Sequence, residues 1–225
     1  MKKSIAIIGL SRFGLNLVQS FSKLSNVDII AIDKNKEAVE HASEIIPNAF
    51  IADSTDEVAL KELGFKNVDH AIIAIGQDNL GNLGQTIMTI LKLKTLGVSE
   101  ITARVDDGEY AEVLKLVGAT NIVSPLFIAS ERIANKIAAG NVVDYFNIKS
   151  NYDVFELKLP PHFKPLPVVE LDSRSKFKIN ILLIERVNEL ITPDKETVLQ
   201  PNDEIFIFGD KKNIRRIADF FNVSE

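Results

Sequence analysis

The sequence predicts an α/β fold: a doubly wound parallel sheet over the first half of the chain, then a small α+β C-terminal domain. Three observations carry this. Up to about residue 123, short apolar runs of strand type alternate with segments of helical periodicity, six strands in all. The first strand-to-helix turn, Ile5-Ala6-Ile7-Ile8-Gly9-Leu10-Ser11-Arg12-Phe13-Gly14, bears glycines, and a second buried strand follows and ends in Asp33. Beyond residue 140 the period changes to half-exposed strands broken by proline loops.

In order, the strands fall at 4–8, 27–32, 49–52, 71–75, 100–104 and 121–123, with helices near 12–24, 36–43, 57–63, 80–96 and 108–116. Gly9 lets the chain turn sharply, and Gly14 lets the first helix pack close to the strand. The helix N-terminus between them offers N–H groups suited to phosphate. Ser11 stands where this fingerprint has its middle glycine. Asp33, nineteen residues past Gly14, is placed to accept bonds from a ribose diol. The 80–96 helix puts Leu80, Leu83, Ile87, Ile90 and Leu91 on one face.

Asp53-Ser54-Thr55-Asp56 follows the third strand and Gly76-Gln77-Asp78-Asn79 the fourth. Asp56 and Asn79 read as helix N-caps, whereas Asp53 and Gly76 lie closer to the strand ends, where a base or ribose would sit. Arg104 has two open readings: it balances these acids, or it reaches a phosphate.

Pro125 opens a helix over 126–139, ended by Gly140, with Ile128, Ala129, Ile133, Ala134, Ile137 and Ala138 along one side. It reads as a bridge between domains or a dimerisation element. Strands at 142–148, 153–159, 179–187 and 204–208 and a closing helix over 213–221 make up the tail, with loops imposed by Pro160-Pro161 and Pro165-x-Pro167. The expected domains are 1–124 for nucleotide binding, 125–148 for a crossover helix and linker, and 149–225 for the C-terminal domain.

The 225 residues suffice for one large domain or two modest ones, and a net charge of −5 argues against a nucleic-acid polymer as partner. The absence of cysteine excludes disulfides, thiolate metal sites and thiol nucleophiles. No apolar run approaches the ~20 residues of a membrane span, and no signal-peptide core opens the chain. A cytoplasmic protein is expected, at the membrane only through a partner. His41, His70 and His162 are scattered and read as surface or strand-edge residues, not as a triad or metal set. A nucleophile elbow, a Walker lysine and a zinc-protease helix are all missing from the sequence. A dehydrogenase would need an acid/base from its second domain, where the only histidine lies in a proline-rich loop. Binding without catalysis is the expectation.

Read together, these residues resemble a known family. Ile7-Ile8-Gly9-Leu10-Ser11-Arg12-Phe13-Gly14, Asp33, Ala52-Asp53-Ser54-Thr55, Ile73-Ala74-Ile75-Gly76 and Gly118-Ala119-x-x-Ile122-Val123-x-Pro125 look like the cytosolic regulatory subunits of Ktr/Trk-type potassium transporters, which carry RCK domains. The stretch from Leu199-Gln200-Pro201-Asn202-Asp203-Glu204 to Gly209 is similar to the family's C-terminal motif, with Asn202-Asp203 standing for Gly-Asp. The resemblance spans essentially the whole chain. It implies a Rossmann-like N-terminal lobe that binds ATP or ADP, and in some relatives NAD(H). Its cofactor-binding residues would be Gly9, Ser11, Arg12, Phe13, Gly14, Asp33, Lys34, Asp53, Ser54, Ile75, Gly76 and Arg104.

It also implies homodimers that assemble into a ring, commonly an octamer, beneath a membrane potassium transporter whose gate the ligand controls. Arg12 fits: an arginine in the glycine loop clashes with a tightly held dinucleotide but can clamp a γ-phosphate, favouring ATP/ADP over NAD. Several relatives carry a glutamate after Pro125 for a divalent cation. Leu126 stands there, and no metal is expected.

The tail pattern Val168-Val169-x-x-Asp172-x-Arg174-x5-Asn180-Ile181-Leu182 is similar to that by which some of these C-terminal domains bind cyclic di-AMP. Arg174 can meet a phosphate, Asn180 can read an adenine edge, and the aliphatic residues can cover its faces. A two-fold ligand on a dimer axis would take one half-site from each subunit. The glycine fingerprint alone supports a competing function, a small NAD-dependent oxidoreductase in which Asp33 disfavours a 2′-phosphate.

Overall fold

β1 (Lys3–Ile8) sends Ile5 and Ile7 into one hydrophobic cluster and Ala6 and Ile8 into another. A strand buried on both faces needs cover on both, and the chain supplies it by winding outward from β1 in two directions. The computed structural model describes residues 2–76, 80–138, 142–149 and 151–223. They form two compact units, Met1–Ile128 and Ala129–Glu225.

In the first unit α1 (Arg12–Ser22), β2 (Val27–Asp33), α2 (Lys36–Ser43) and β3 (Ala49–Ile51) follow β1. Then come α3 (Glu57–Glu62), β4 (His70–Ile73), α4 (Leu80–Thr95), β5 (Glu100–Arg104), α5 (Ala111–Val117) and β6 (Asn121–Val123). The six strands are parallel in the order β3-β2-β1-β4-β5-β6. Val18 of α1 and Val39 and Ala42 of α2 cover one face; Leu60 of α3, Ile90 and Leu93 of α4 and Leu114 of α5 cover the other. This is the expected doubly wound, Rossmann-like sheet. Strand order reverses between β1 and β4, so a crevice opens at their carboxyl ends.

Several local expectations need correcting. β4 ends at Ile73, which leaves Ile75 in the loop. The helix expected over 108–116 begins as a 3₁₀ turn, Gly108–Tyr110, and becomes α5 only at Ala111. Leu91 does not share the buried face of α4: it is 42% exposed, and the buried stripe is Thr86, Thr89, Ile90 and Leu93. The threonines can sit there because their hydroxyls are bonded, Thr86 Oγ1 to the Asn82 carbonyl and Thr89 Oγ1 to Ser54 Oγ. Asp56 does cap α3, accepting from the Val58 and Ala59 N–H groups. Gln77, Asp78, Asn79 and Gly140 lie outside the described residues.

α6 (Pro125–Ala138) follows β6 and exposes Leu126, Phe127, Ile133 and Ile137. In the second unit come β7 (Val142–Lys149), β8 (Tyr152–Lys158), β9 (Leu166–Pro167), α7 (Val168–Leu171), α8 (Ser173–Phe177) and β10 (Ile179–Arg186). β11 (Glu189–Ile191), β12 (Val198–Leu199), β13 (Glu204–Asp210) and α9 (Lys211–Val223) complete it. The antiparallel order is β11-β10-β13-β8-β7, with β9 and β12 forming a separate ribbon. Ile205 and Ile207 of β13 pack with Ile214, Ile217 and Phe221 of α9 in one cluster. The short helices α7 and α8 fill what the proline pattern left as loop.

Within the C-terminal motif, Asn202 takes the left-handed φ of 65° for which glycine is the usual choice, and asparagine tolerates it. Asp203 is buried. It receives two 2.8 Å bonds from Arg186, Nε to Oδ1 and Nη2 to Oδ2, and a third from the Gln200 N–H. This motif is structural: it fastens the turn before β13 to β10. No described helix is long and apolar enough to cross a membrane.

Candidate functional site

The crevice of the first unit is built on two glycines. Gly9 has φ +93°, and a Cβ there would lie 3.0 Å from the Ile75 nitrogen. A Cβ on Gly14 would lie 1.9 Å from the Gly9 carbonyl oxygen. Between them Ser11 is the extended N-cap of α1, and its side chain makes no capping bond. The first turn of α1 carries no acid, so its leading N–H groups and positive dipole end face the loop uncompensated by a side chain. Arg12 is exposed at that terminus.

Asp33 closes the loop onto β2. Its Oδ2 accepts the Leu10 N–H at 2.6 Å, and its Oδ1 accepts the Asn35 N–H at 2.8 Å. Asn35 in turn caps α2. Each carboxylate oxygen retains a lone pair for a further donor.

At the end of β3, Asp53 Oδ1 accepts both the N–H and the hydroxyl of Thr55 (2.8 and 2.7 Å), while Oδ2 pairs with Lys34 Nζ at 3.1 Å. Burial pushes the Asp53 carboxyl up, but the Thr55 bonds and Lys34 outweigh it and hold it below its ordinary range. Ser54 is turned into the core, its hydroxyl 2.7 Å from Thr89 Oγ1 and within 3.5 Å of Gln85 Nε2. Only its backbone is left for the crevice. Ile75 packs on Gly9, and Gly76 follows it. Arg104 donates Nε to Asp106 Oδ1 at 2.8 Å, and its guanidinium lies 5.6 Å from the centroid of the Phe13 ring.

The sequence reading missed Asn35, Thr55 and Asp106. Asn35 and Thr55 each donate a backbone N–H to the aspartate two residues earlier, an Asx-type bond for which Asp33-x-Asn35 and Asp53-x-Thr55 are the visible signal, whereas Asp106 accepts Arg104 Nε as an ion pair.

In the second unit a cavity of about 390 Å³ brings together Val168, Val169, Asp172, Arg174 and Ile181. Asp172 joins α7 to α8 with a left-handed φ of 47°. Asn180 and Leu182 do not line this cavity. Alternation along β10 turns Asn180 away from the side that carries Ile181, and a bulge between Ile181 and Leu183 leaves Leu182 46% exposed. Pro193, Asp194 and Lys195, a segment to which the sequence pattern assigns no role, also line the cavity.

The family model of the TrkA-N domain matches residues 5–125, and that of the TrkA-C domain matches residues 156–222. The Ktr system potassium uptake protein C of Bacillus subtilis (strain 168) is 36% identical over 217 residues, 96% of each chain. The solved GsuK channel shares the fold at TM-score 0.66 and 20% identity; the match covers all of this chain and 40% of that one. The NAD(P)-binding domain of an exopolyphosphatase-related protein from Archaeoglobus fulgidus is 25% identical at TM-score 0.51, covering 61% of this chain and 98% of that domain.

Proposed function

The chain belongs to the family defined by the TrkA-N and TrkA-C domains, and on that premise we propose that it is the regulatory, gating subunit of a membrane potassium transporter. It binds ATP or ADP in the first unit and cyclic di-AMP in the second, and it catalyses no reaction. It works in the cytoplasm, held at the inner face of the membrane by its transporter. The division at 1–124, 125–148 and 149–225 is the working one.

The observation that carries the nucleotide reading is the loop from Gly9 to Gly14 with Asp33 latched to it. Phosphates would lie over the loop against the N–H groups of α1, as helix N-termini accept anions generally. The ribose would bond the free lone pairs of Asp33, and the base would rest between Asp53 and the Ile75-Gly76 edge. Arg12 would reach a terminal phosphate. The likeness to an NAD(P)-binding domain supports a nucleotide here, and Arg12 favours ATP and ADP over the dinucleotide.

Leu126, Phe127, Ile133 and Ile137 on α6 support self-association. A helix of 14 residues is marginal in water by itself, and an apolar stripe along it is covered most simply by a second copy. Homodimers joined there would build a ring, an octamer by resemblance, beneath the transporter.

Calorimetry of the full chain with ATP, ADP, NAD, NADH and cyclic di-AMP tests the proposal. Arg12→Ala should weaken ATP more than ADP, and equal loss would remove Arg12 from the γ-phosphate. Arg174→Ala should abolish only the cyclic di-AMP response. Consumption of NADH with any member of a carbonyl panel would overturn the non-catalytic reading.

A further inference from the structure

We propose that Lys195 is the second phosphate-binding cation of the C-terminal half-site, lining the same cavity as Arg174. The inference rests on the cyclic di-AMP reading above and adds a residue that the sequence pattern 168–182 does not contain.

Pro193, Asp194 and Lys195 belong to the connection between β11 and β12, which is fastened by its own hydrogen bonds. Asp194 Oδ1 accepts the Glu196 N–H (2.9 Å), the Thr197 N–H (2.9 Å) and the Thr197 hydroxyl (2.8 Å). The Thr197 carbonyl accepts the Val168 N–H at 2.9 Å, so this turn is tied to the first residue of α7. One residue further, Val198 pairs with Pro167. The two segments therefore hold their spacing without a ligand.

The charges are distributed unevenly. Asp194 spends a carboxylate oxygen on three donors of its own turn, and the Thr197 hydroxyl above all, with the Glu196 N–H, holds its carboxyl below the ordinary range. It stays ionised but turned to its own backbone. Arg174 and Lys195 are both exposed, and neither forms an ion pair among the described residues. Two cations thus line a 390 Å³ cavity whose apolar floor is Val168, Val169 and Ile181. A phosphodiester that lays its base on the aliphatic floor brings its anionic oxygens to this rim. A phosphodiester has two non-bridging oxygens that share one charge: arginine can grip both in a planar fork, and lysine meets the same group as a point charge. Asp172, on the same rim, is left to accept from an amine or hydroxyl of the ligand.

The test is calorimetric titration of cyclic di-AMP into the full chain and into Lys195→Gln, at low and at physiological salt. The substitution removes an exposed charge, so the unliganded melting temperature should not move. Affinity should fall about tenfold, and the variant's salt dependence should be shallower than that of the wild type. Lys195→Arg should restore most of the affinity. Wild-type affinity in Lys195→Gln at both salt concentrations overturns the assignment of Lys195 and leaves the half-site on Arg174. A wild-type chain that gives no heat and no thermal shift with cyclic di-AMP overturns the reading beneath it, and Lys195 with it.

Discussion

Adding one methyl group at Gly14 asks the glycine loop to move. A Cβ there falls 1.9 Å from the Gly9 oxygen, where real contacts essentially never drop below 3.0 Å, so helix α1 or the loop must yield by about 1.1 Å. The loop is pinned on its other side by Gly9 N–H to the Ile32 carbonyl (2.9 Å) and Leu10 N–H to Asp33 (2.6 Å). Overpacking of this kind costs about 1–3 kcal/mol, and a strained or lost bond to a carboxylate costs about 1.5–3 more. Alanine is the better helix former by about 1 kcal/mol, which leaves a net loss of roughly 1.5–5 kcal/mol. Gly84→Ala is the matched control. Gly84 lies inside α4 with nothing within 4 Å of its Cβ, so the same propensity gain should appear there as up to about 1 kcal/mol of added stability. Urea unfolding of both variants gives the comparison, and calorimetry with ATP should show weaker binding for Gly14→Ala alone. If Gly14→Ala proves as stable as Gly84→Ala, α1 slides freely over the loop and the close-packing argument fails.

Three further outcomes follow from local geometry. Arg186→Met leaves the buried Asp203 carboxylate without its guanidinium and should cost about 3 kcal/mol of C-terminal stability; a chemical-denaturation midpoint equal to wild type would contradict the structural role given to that motif. Val187 stands 95% exposed at φ 50°, where a β-branched residue is strained, so Val187→Asn should raise stability by about 1 kcal/mol, and an unchanged urea midpoint would show no strain there. His70, bonded to Thr102 at 2.7 Å, is held below its ordinary range by burial, then by Lys3, against Glu100. The unfolded chain therefore takes up this proton first, so its contribution to stability is lost as pH falls below about 6.5 and levels off once the folded imidazole titrates. Melting curves from neutral to mildly acid pH should fall more steeply for wild type than for His70→Gln, and parallel curves would clear His70.

What could be read from the letters depended on how local each cause was. Strands β5 and β6 and helix α2 fall on the expected residues because the apolar period is a local signal. Leu91 and Thr89 exchange places against expectation because side-chain polarity says nothing about a partner that arrives from elsewhere. Thr89 is a core residue only by virtue of Ser54, 35 positions away. The glycine loop was legible for a similar reason in reverse: its requirement is a backbone one, met by a residue type that has no side chain to mislead. Lys195 had no such signal. It joins Arg174 because β9 and β12 pair, Val198 against Pro167 and Leu199 against Leu166, and that register is a tertiary fact.

Asp33 shows why a legible residue can still be half understood. Its position at the end of β2 predicts a ribose acceptor, yet Oδ2 already holds the Leu10 N–H at 2.6 Å and Oδ1 the Asn35 N–H at 2.8 Å. Leu10 belongs to the segment on which phosphates would rest, so the same carboxylate shapes both halves of the crevice. A ribose hydroxyl donating to Oδ2 would share that oxygen with the loop and draw charge from the Leu10 bond, while phosphates over α1 would tighten the loop's own N–H groups. The two halves of a bound nucleotide would therefore both act on one side chain. A mononucleotide, which carries phosphate and ribose on one molecule, would engage both at a single cost in lost freedom, which free phosphate plus free ribose cannot.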